Sequence, residues 1–274
     1  MNICIKDYHI LRELGHGSSG VVYLGEQSGQ YFAIKKILRT PSHDETRVLE
    51  EVNAMISFQN KATESGDFDG CVHFIECFQD ERSYYIVMEF CDQGTLETKF
   101  NDVVSYGEQF TEEALWMIAS ELSYSLMLLK QNHIIHRDIK PENIYIGANS
   151  NLKLGDMGYA RQLVDTLDMT ISPVGTPYYV APEVLELKGY RSQCDVWSLG
   201  VTLYQLTQQA LPFDGHTKDI VFHRIKTAPM PPITVGVSDA LKDMIRRMLI
   251  KDPSSRITIE EVNAIATAHI SRQE

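Results

Sequence analysis

The chain has 274 residues, of which 43% are hydrophobic and 23% charged, a composition typical of a globular protein rather than a disordered or fibrous one. Its net charge of −12 disfavours general binding to nucleic acid or anionic membranes, because both depend on Lys and Arg to neutralise phosphates. Charges interrupt any signal peptide at the amino terminus, and no charge-free run of roughly 18 residues indicates a membrane span.

The cysteines and histidines do not form a recognisable metal or disulfide pattern. The five cysteines are odd in number and include no C-x-x-C pair, which argues against a disulfide framework or a zinc site. His133 and His136 are three residues apart, but no cysteine or third histidine lies near them in the sequence. We therefore expect a reducing compartment, either cytoplasm or nucleus.

The first forty residues have the pattern of short strands separated by tight turns. Apolar segments at 9–14, 21–26 and 31–38 alternate with Gly-rich or Ser-Gly turns, which predicts an antiparallel sheet. A further apolar segment, YYIVMEF at 84–90, predicts another strand.

Between these strands lies one segment with helical spacing, residues 44–58. Val48, Val52 and Met55 recur at intervals of four and three residues and so fall on one face. The polar, Gly-containing stretch 57–70 that follows predicts a surface loop. It is either an insertion without a role, which we favour because loops accept insertions at little cost, or a docking element that steers the helix.

From Thr111 onward the pattern is one of long helices. Residues 111–131 predict a helix with Thr111 as its N-cap and two acids in its first turn. The segment 195–208 is apolar almost all round, which predicts a buried helix. These elements predict a single α+β domain over residues 1–274: a small antiparallel sheet lobe with one main helix to about residue 90, a hinge at 89–94, and a larger, mostly helical lobe from about residue 95.

GHGSSG at 15–20 has the spacing G-x-G-x-x-G, with glycines at Gly15, Gly17 and Gly20. Glycines let backbone N–H groups approach phosphate oxygens, because no Cβ stands in the way. A dinucleotide-binding fold would require a helix next, whereas a strand follows here. The motif therefore predicts a phosphate-covering hairpin.

A lysine in the next strand, Lys35, is a candidate phosphate contact. The predicted helix downstream carries two acids, Glu50 and Glu51, either of which could form an ion pair with the ammonium and hold it toward phosphates. We favour Glu51, because Met55 lies one turn beyond it and faces inward.

HRDIKPEN at 136–143 is the most specific segment, since it places Asp, Lys and Asn within six residues between apolar segments. Asp138 can accept a hydroxyl proton, Lys140 can offset charge on a transferring phosphoryl group, and Asn143 can bind Mg²⁺. Asp156 follows eighteen residues after Asp138 in the turn GDMG and offers a second hard oxygen ligand.

With these segments in this order, the sequence resembles the eukaryotic protein kinases over nearly its whole length. The match continues through GTPYYVAPE at 175–183 and DVWSLG at 195–200 to Arg256. The resemblance implies a two-lobed kinase fold that binds ATP and Mg²⁺. It implies these roles: Gly15, Gly17, Gly20 and Val22 cover ATP; Ala33 packs on adenine; Lys35 pairs with Glu51; Glu89 and Cys91 offer hinge backbone behind Met88; Asn143 and Asp156 bind the metal.

Two further features narrow the resemblance. Lys140 together with Thr176 is similar to the pattern of kinases that phosphorylate Ser and Thr hydroxyls of proteins. The segments LKLGDMGYAR and GTPYYVAPE are similar to the NIMA-related (NEK) group, and calcium/calmodulin-type kinases share parts of both. The resemblance also implies a structural ion pair between Glu183 and Arg256, and Asp195 as support for the loop that carries Asp138.

Met157 departs from the family, which usually has Phe at this position, packed between the equivalents of His136 and Met55. Methionine is also apolar and adapts to irregular gaps, and every charged position is retained. We therefore expect a working site in which the inward and outward states of the turn are balanced differently.

The segment from Asp156 to Glu183 is the expected site of regulation. Because Arg137 precedes Asp138, the resemblance implies activation by a phosphate in this segment, from an upstream kinase or by autophosphorylation. Of its hydroxyl residues we favour Ser172, which Pro173 follows, and place Thr170 second.

Two other functions compete with that of a protein kinase. A pseudokinase that binds nucleotide or partners is disfavoured because Lys35, Asp138, Asn143 and Asp156 are all retained. A small-molecule kinase is disfavoured by GTPYYVAPE, which forms the peptide platform in protein kinases. The acidic chain and Glu142 favour basic protein substrates, although Thr95 stands where kinases with such substrates often place another acid.

Overall fold

The structure is a computed structural model that describes residues 3–17, 20–40, 45–64, 70–162, 177–186 and 192–271. Its strands are β1 (Ile3–Ile5), β2 (Tyr8–Gly17), β3 (Gly20–Gln27), β4 (Gln30–Leu38), β5 (Phe74–Gln79), β6 (Ser83–Glu89), β7 (Ile134–Ile135), β8 (Ile144–Ile146), β9 (Leu152–Leu154) and β10 (Arg161–Gln162). Its helices are α1 (Glu45–Glu64), α2 (Leu96–Ser105), α3 (Glu112–Gln131), α4 (Pro182–Leu185), α5 (Gln193–Gln208), α6 (Lys218–Thr227), α7 (Asp239–Met248) and α8 (Ile259–Ile270).

The first lobe is built on an antiparallel sheet of six strands in the order β1-β2-β3-β4-β6-β5. The four predicted strands are present as β2, β3, β4 and β6, whereas β1 and β5 were not predicted. In β5, half-buried and exposed residues alternate along an edge strand, so its pattern is weak. The register places Lys35 between Val22 on β3 and Ile86 on β6.

Helix α1 carries the predicted apolar face, since Val48, Val52 and Met55 are all buried. It continues to Glu64, however, so the prediction of a loop from residue 57 was wrong for residues 57–64. Phe58 is fully buried, and the side chain of Gln59 accepts a hydrogen bond from the backbone N–H of Phe74 at 3.0 Å. Both contacts favour continuing the helix against the sheet despite its polar sequence. Residues 65–69 lie outside the described part of the chain.

The second lobe is mostly helical and supplies most of the larger buried cluster, which continues into α1 and β6 of the first lobe. Helix α3 begins as predicted, because the hydroxyl of Thr111 accepts a hydrogen bond from the N–H of Ala114 at 3.2 Å. Helix α5 is buried on nearly every side, and its Trp197 stacks on Phe213 with ring centroids 5.6 Å apart. The predicted α+β arrangement, a small sheet lobe followed by a larger helical lobe, is confirmed.

Short hairpins at the junction of the lobes position the polar segments singled out above. The loop with Asp138 lies between β7 and a 3₁₀ turn at Pro141–Asn143, and β8 pairs with β9 directly afterwards. Because β9 ends at Leu154, it presents the turn with Asp156 beside the start of β8. Among the described residues, no helix has the length and apolar character needed to cross a membrane.

Candidate active site

A cleft of about 910 Å³ lies between the two lobes and gathers most of the predicted site residues. Its lining includes Gly15, Gly20, Val22, Ala33, Lys35, Glu51, Met88, Glu89, Cys91, Asp138, Lys140, Asn143 and Asp156. Gly17 ends β2 and pairs with Gly20 across the hairpin. Thr176, Thr170 and Ser172 lie outside the described residues.

Lys35 lies at the centre of a buried group of charges. Its ammonium donates to Oε1 of Glu51 at 2.7 Å and to Oδ1 of Asp156 at 2.8 Å. Glu50 is exposed, so the predicted choice of Glu51 over Glu50 agrees with the structure. Strand β4, helix α1 and the turn after β9 thus meet at one ammonium group.

The pKa values of this group follow from burial opposed by pairing. Burial alone lowers the pKa of Lys35, but the charges of Glu51 and Asp156 outweigh it and raise this pKa. Burial raises the pKa of Asp156, and the charge of Lys35 outweighs that effect and lowers it. Lys35 and Asp156 are therefore both charged at neutral pH.

Gly158 is a site residue that the sequence analysis did not single out. A Cβ at this position would lie 3.1 Å from both Oδ1 of Asp156 and Nζ of Lys35, and 3.2 Å from Oε2 of Glu51. Any side chain there would push the three charged groups apart. Asp156 itself has a left-handed backbone with φ of 54°, which turns its carboxylate back toward the lysine.

The second group of polar side chains centres on Asp138, which is almost completely buried. The side-chain amide of Asn143 donates to Oδ2 of Asp138 at 2.7 Å and to its backbone oxygen at 2.8 Å. Lys140 places its ammonium 3.0 Å from the same carboxylate oxygen. The three residues that the sequence grouped by spacing are therefore also in contact.

Asp195 on α5 holds the loop that carries Asp138. Its two carboxylate oxygens accept hydrogen bonds from the backbone N–H groups of His136 and Arg137, both at 2.9 Å. Arg137 has a φ of 71°, a conformation that costs free energy in a non-glycine residue and that these two bonds help to maintain. The predicted supporting role of Asp195 agrees with this geometry.

Met157 points into the protein and is 2% exposed. It belongs to the same large buried cluster as Met55, and the 3₁₀ turn that it begins packs against α1. His136 is fully buried, and its Nε2 lies 3.1 Å from the carbonyl oxygen of Gly155. Methionine therefore fills the interior position without disturbing the adjacent carboxylate of Asp156.

The glycines of the β2–β3 hairpin differ in what they require. At Gly20, with φ of 138°, a Cβ would lie 2.3 Å from the backbone oxygen of Lys36. At Gly15 an added Cβ would meet nothing within 4 Å. Gly20 is thus required by the fold of the hairpin, whereas Gly15 leaves open space above the cleft.

The hinge is tied to both lobes through the side chain of Glu89. Its carboxylate oxygens lie 2.8 Å from the ammonium of Lys153 on β9, and Oε1 accepts the N–H of His73 at 2.7 Å. From the sequence, Glu89 was expected to contribute only backbone groups. Lys153 and Glu89 are 64 residues apart in the sequence, so sequence spacing could not identify them as partners.

The residues of the cleft that were not predicted include Tyr145 on β8 and Glu97 on α2. Burial raises the pKa of Tyr145 to about 12. Burial and the nearby carboxylate of Glu142 raise the pKa of Glu97. In both segments the sequence pattern does not indicate which side chains face the cleft.

Away from the cleft, Glu183 and Arg256 form the predicted ion pair. The two guanidinium nitrogens Nη1 and Nη2 donate to the two carboxylate oxygens at 2.7 and 2.8 Å. Both side chains are buried, with exposed fractions of 5% and 0%. This bidentate geometry fixes the first turn of α4 against the segment before α8.

Comparison with known proteins agrees with this geometry. A family model described as the protein kinase domain matches residues 8–266. The serine/threonine-protein kinase Nek3 of Mus musculus is 34% identical, over 92% of this chain and 48% of the relative. Nek5 of Homo sapiens is 31% identical over 93% and 35%. An Aurora kinase of Dictyostelium discoideum is 31% identical over 94% and 65%.

The chain therefore spans between 35% and 65% of the length of these three relatives. The predicted likeness to the NIMA-related group is confirmed by the two Nek proteins, and the Aurora kinase has a similar identity. Because the family model covers almost the whole sequence and the paired Lys35, Asp138, Asn143 and Asp156 lie in one cleft, the chain belongs to the protein kinase family.

Proposed function

We propose that this chain is an ATP-dependent serine/threonine protein kinase, which transfers the γ-phosphate of Mg·ATP to Ser or Thr hydroxyls of proteins. The observation that carries the proposal is the single cleft in which the ion pair of Lys35 and Glu51 faces the cluster of Asp138, Lys140 and Asn143. One group is suited to hold phosphates and the other to orient a hydroxyl.

The upper wall of the cleft suits the nucleotide. Val22 and Ala33 lie on paired strands above it, and Met88, Glu89 and Cys91 line its inner edge. We assign the base to this apolar part, with backbone groups of Glu89 and Cys91 as its hydrogen-bonding partners. The hairpin of Gly15 to Gly20 would then cover the phosphates.

The residues present fit Mg²⁺. Asp156 offers a carboxylate and Asn143 an amide oxygen, the hard oxygen donors that this ion prefers, and few protein ligands suffice because phosphates supply the others. Lys35 contributes one positive charge against the two negative charges of Glu51 and Asp156, so the group has an excess negative charge beside the cleft. Bound Mg²⁺ would supply positive charge that offsets the charge of the phosphate oxygens.

Asp138 is the residue to which we assign orientation of the substrate hydroxyl. Its carboxylate is held by Asn143 and lies beside Lys140, so it is fixed before the substrate arrives. Lys140 would offset negative charge on the phosphoryl group during transfer. The chain thus contributes position and charge rather than a covalent intermediate.

The mouth of the cleft supports a preference for basic substrates. Glu97 and Glu142 both line it, and the raised pKa of Glu97 reflects burial together with the charge of Glu142. A substrate cation would relieve this repulsion, which favours a basic residue near the target hydroxyl. Together with Lys140, Thr176 matches the sequence pattern of kinases that phosphorylate Ser and Thr hydroxyls.

Regulation by phosphorylation at Ser172, with Thr170 second, remains our proposal for the activation segment. It rests on the arginine next to Asp138 and on the sequence of the segment. The variant Ser172→Ala should lower activity strongly, and unchanged activity of that variant would remove the proposal.

We also infer a reducing location, cytoplasm or nucleus, with protein substrates and neither nucleic acid nor membrane as partners. Among the described residues, Cys71, Cys77, Cys91 and Cys194 form no disulfide bond.

Transfer of labelled γ-phosphate from Mg·ATP to a degenerate Ser/Thr peptide library tests this function. The wild-type chain should label peptides with a basic residue near the target, and Asp138→Asn should abolish labelling while retaining ATP binding. If the wild-type chain, after phosphorylation of its activation segment, binds ATP and labels nothing, the chain is a nucleotide-binding scaffold instead.

A further inference from the structure

The ring of Tyr145 lies directly on the backbone of Gly155, the residue before Asp156. A Cβ at position 155 would be 2.5 Å from Cε2 and 2.8 Å from Cδ2 of this ring. On another side the same Cβ would meet Cγ2 of Val72 at 3.0 Å. The ring and the glycine therefore fit each other without space for one more carbon atom.

Gly155 is also held by the loop that carries Asp138. Its N–H donates to the backbone oxygen of Asn143 at 3.0 Å, and its carbonyl oxygen lies 3.1 Å from Nε2 of His136. With both backbone groups fixed on one side and the ring on another, Gly155 has one available position. Asp156 follows it in a left-handed conformation, so its carboxylate direction depends on where Gly155 lies.

Tyr145 itself is fixed from two sides. It pairs with Lys153 across the β8–β9 hairpin and forms a bridge with Thr95 at the start of α2. Its side chain packs on the core and lines the cleft. Atoms bound in the cleft on this side would hold the ring against Gly155.

We propose that Tyr145 is a positioning residue that fixes Asp156 through Gly155. Nucleotide binding in the apolar part of the cleft, to which we assign the base, and binding of Mg²⁺ at Asp156 then strengthen each other. This inference rests on the proposed function, because it takes Mg·ATP as the ligand. By linkage, whatever factor the nucleotide adds to the affinity for the metal, the metal adds to the affinity for the nucleotide.

Two substitutions of Tyr145 separate the ring from the rest of the residue. Tyr145→Phe keeps both ring atoms that lie over Gly155, whereas Tyr145→Val removes both and keeps a residue suited to a strand. Gly155→Ala places a methyl group where the ring now lies. Gly25→Ala is the matched control, because its Cβ would meet Cδ1 of Ile34 at 2.4 Å, away from the cleft.

The measurement is calorimetric titration with adenylyl imidodiphosphate, a non-hydrolysable ATP analogue, at several MgCl₂ concentrations, together with thermal unfolding. Gly155→Ala should weaken nucleotide binding about tenfold and raise the Mg²⁺ concentration needed for half-maximal binding. For Tyr145→Phe, both the nucleotide affinity and the Mg²⁺ concentration for half-maximal binding should stay within about threefold of wild type. Gly25→Ala should lower the unfolding temperature and leave the Mg²⁺ requirement unchanged.

The double variants decide the inference. Adding Gly155→Ala to Tyr145→Val should weaken binding less than about twofold further, because both ring atoms are gone and only the milder contact with Cγ2 of Val72 at 3.0 Å remains. Adding it to Tyr145→Phe should still cost about tenfold. If the loss in the variant that combines Tyr145→Val with Gly155→Ala equals the product of the losses in its two single variants, the inference is overturned.

The outcomes also separate this inference from the proposed function. A wild-type chain that binds the analogue but transfers no phosphate refutes the function, while the double variants still test the coupling. A wild-type chain that binds no nucleotide overturns both. An unchanged Mg²⁺ requirement in Gly155→Ala overturns the inference alone.

Discussion

The chain contains two buried ion pairs of similar composition and different surroundings. Arg256 and Glu183 neutralise each other, and further N–H groups of Arg256 donate to the backbone oxygens of Ile250 and Gln193 at 2.9 and 2.6 Å. Lys35 and Glu51 are equally buried, but Asp156 adds a second carboxylate that is 26% exposed toward the cleft.

The difference between the two pairs is one of charge balance and access. The pair of Arg256 and Glu183 is neutral and has no access to the cleft. We call it the closed pair, and it can contribute only to the stability of the fold. The group of Lys35, Glu51 and Asp156 has an excess negative charge and borders the cleft. We call it the open group, and it can interact with a ligand bound there. Burial alone therefore does not distinguish a structural ion pair from a functional one.

The largest expected effect is on stability, from breaking the closed pair. Glu183→Gln leaves the charge of Arg256 buried without its partner, and the free energy of unfolding should fall by about 3–5 kcal/mol. Urea unfolding measures this change. Lys130→Met, which breaks an exposed pair with Glu260, is the control and should cost less than about 1 kcal/mol. A loss of that small size in Glu183→Gln would show that the closed pair adds little to folding.

Breaking the open group should act mainly on catalysis. Lys35→Met removes the donor proposed to hold phosphates, and kcat/KM should fall about 10²–10³-fold, or ~3–4 kcal/mol. Stability should fall less than in Glu183→Gln, because burial already raises the pKa of Glu51, which can take up a proton when the lysine is lost. Peptide phosphorylation and urea unfolding on the same preparation check both parts. Full activity per folded molecule would contradict the assignment of Lys35.

Breaking the ion pair at the hinge should lower stability by less than breaking the closed pair and by more than breaking the exposed pair of Lys130 and Glu260. Lys153 is buried, while Glu89 is 26% exposed and keeps its hydrogen bond from the N–H of His73 when the lysine is removed. Lys153→Met should therefore lower the free energy of unfolding by about 1–2 kcal/mol. Glu89→Gln keeps an acceptor for His73 but leaves the buried ammonium of Lys153 without a charged partner, so it should cost more than Lys153→Met. Equal losses in Lys153→Met and Glu183→Gln would show that exposure of one partner does not matter here.

The sequence was sufficient for the parts of the site that depend on local spacing. Asp138, Lys140 and Asn143 lie within one short loop, so their contact follows from the motif. Glu51 was identified over Glu50 because helical periodicity determines which of two adjacent residues faces inward.

Contacts between distant segments were beyond such patterns. The fit of Tyr145 against Gly155, and of Gly158 among three charged groups, depends on distances of a few ångströms that no spacing encodes. The end of α1 was missed for a similar reason, since Phe58 and Gln59 extend the helix by contacts with the core and with Phe74. Tertiary contacts there outweigh a polar local sequence.

The smallest expected effect concerns Met157, which lies beside the open group and carries no charge. Met157→Phe should change the free energy of unfolding by no more than about 1.5 kcal/mol, because both side chains are apolar and of similar size. We expect kcat/KM within about fivefold of wild type, since Asp156, Lys35 and Glu51 are unchanged. Measured beside the wild type, this variant separates two explanations for low activity. An inactive wild type with an active Met157→Phe variant would show that methionine at this turn, and not the charged group next to it, limits catalysis.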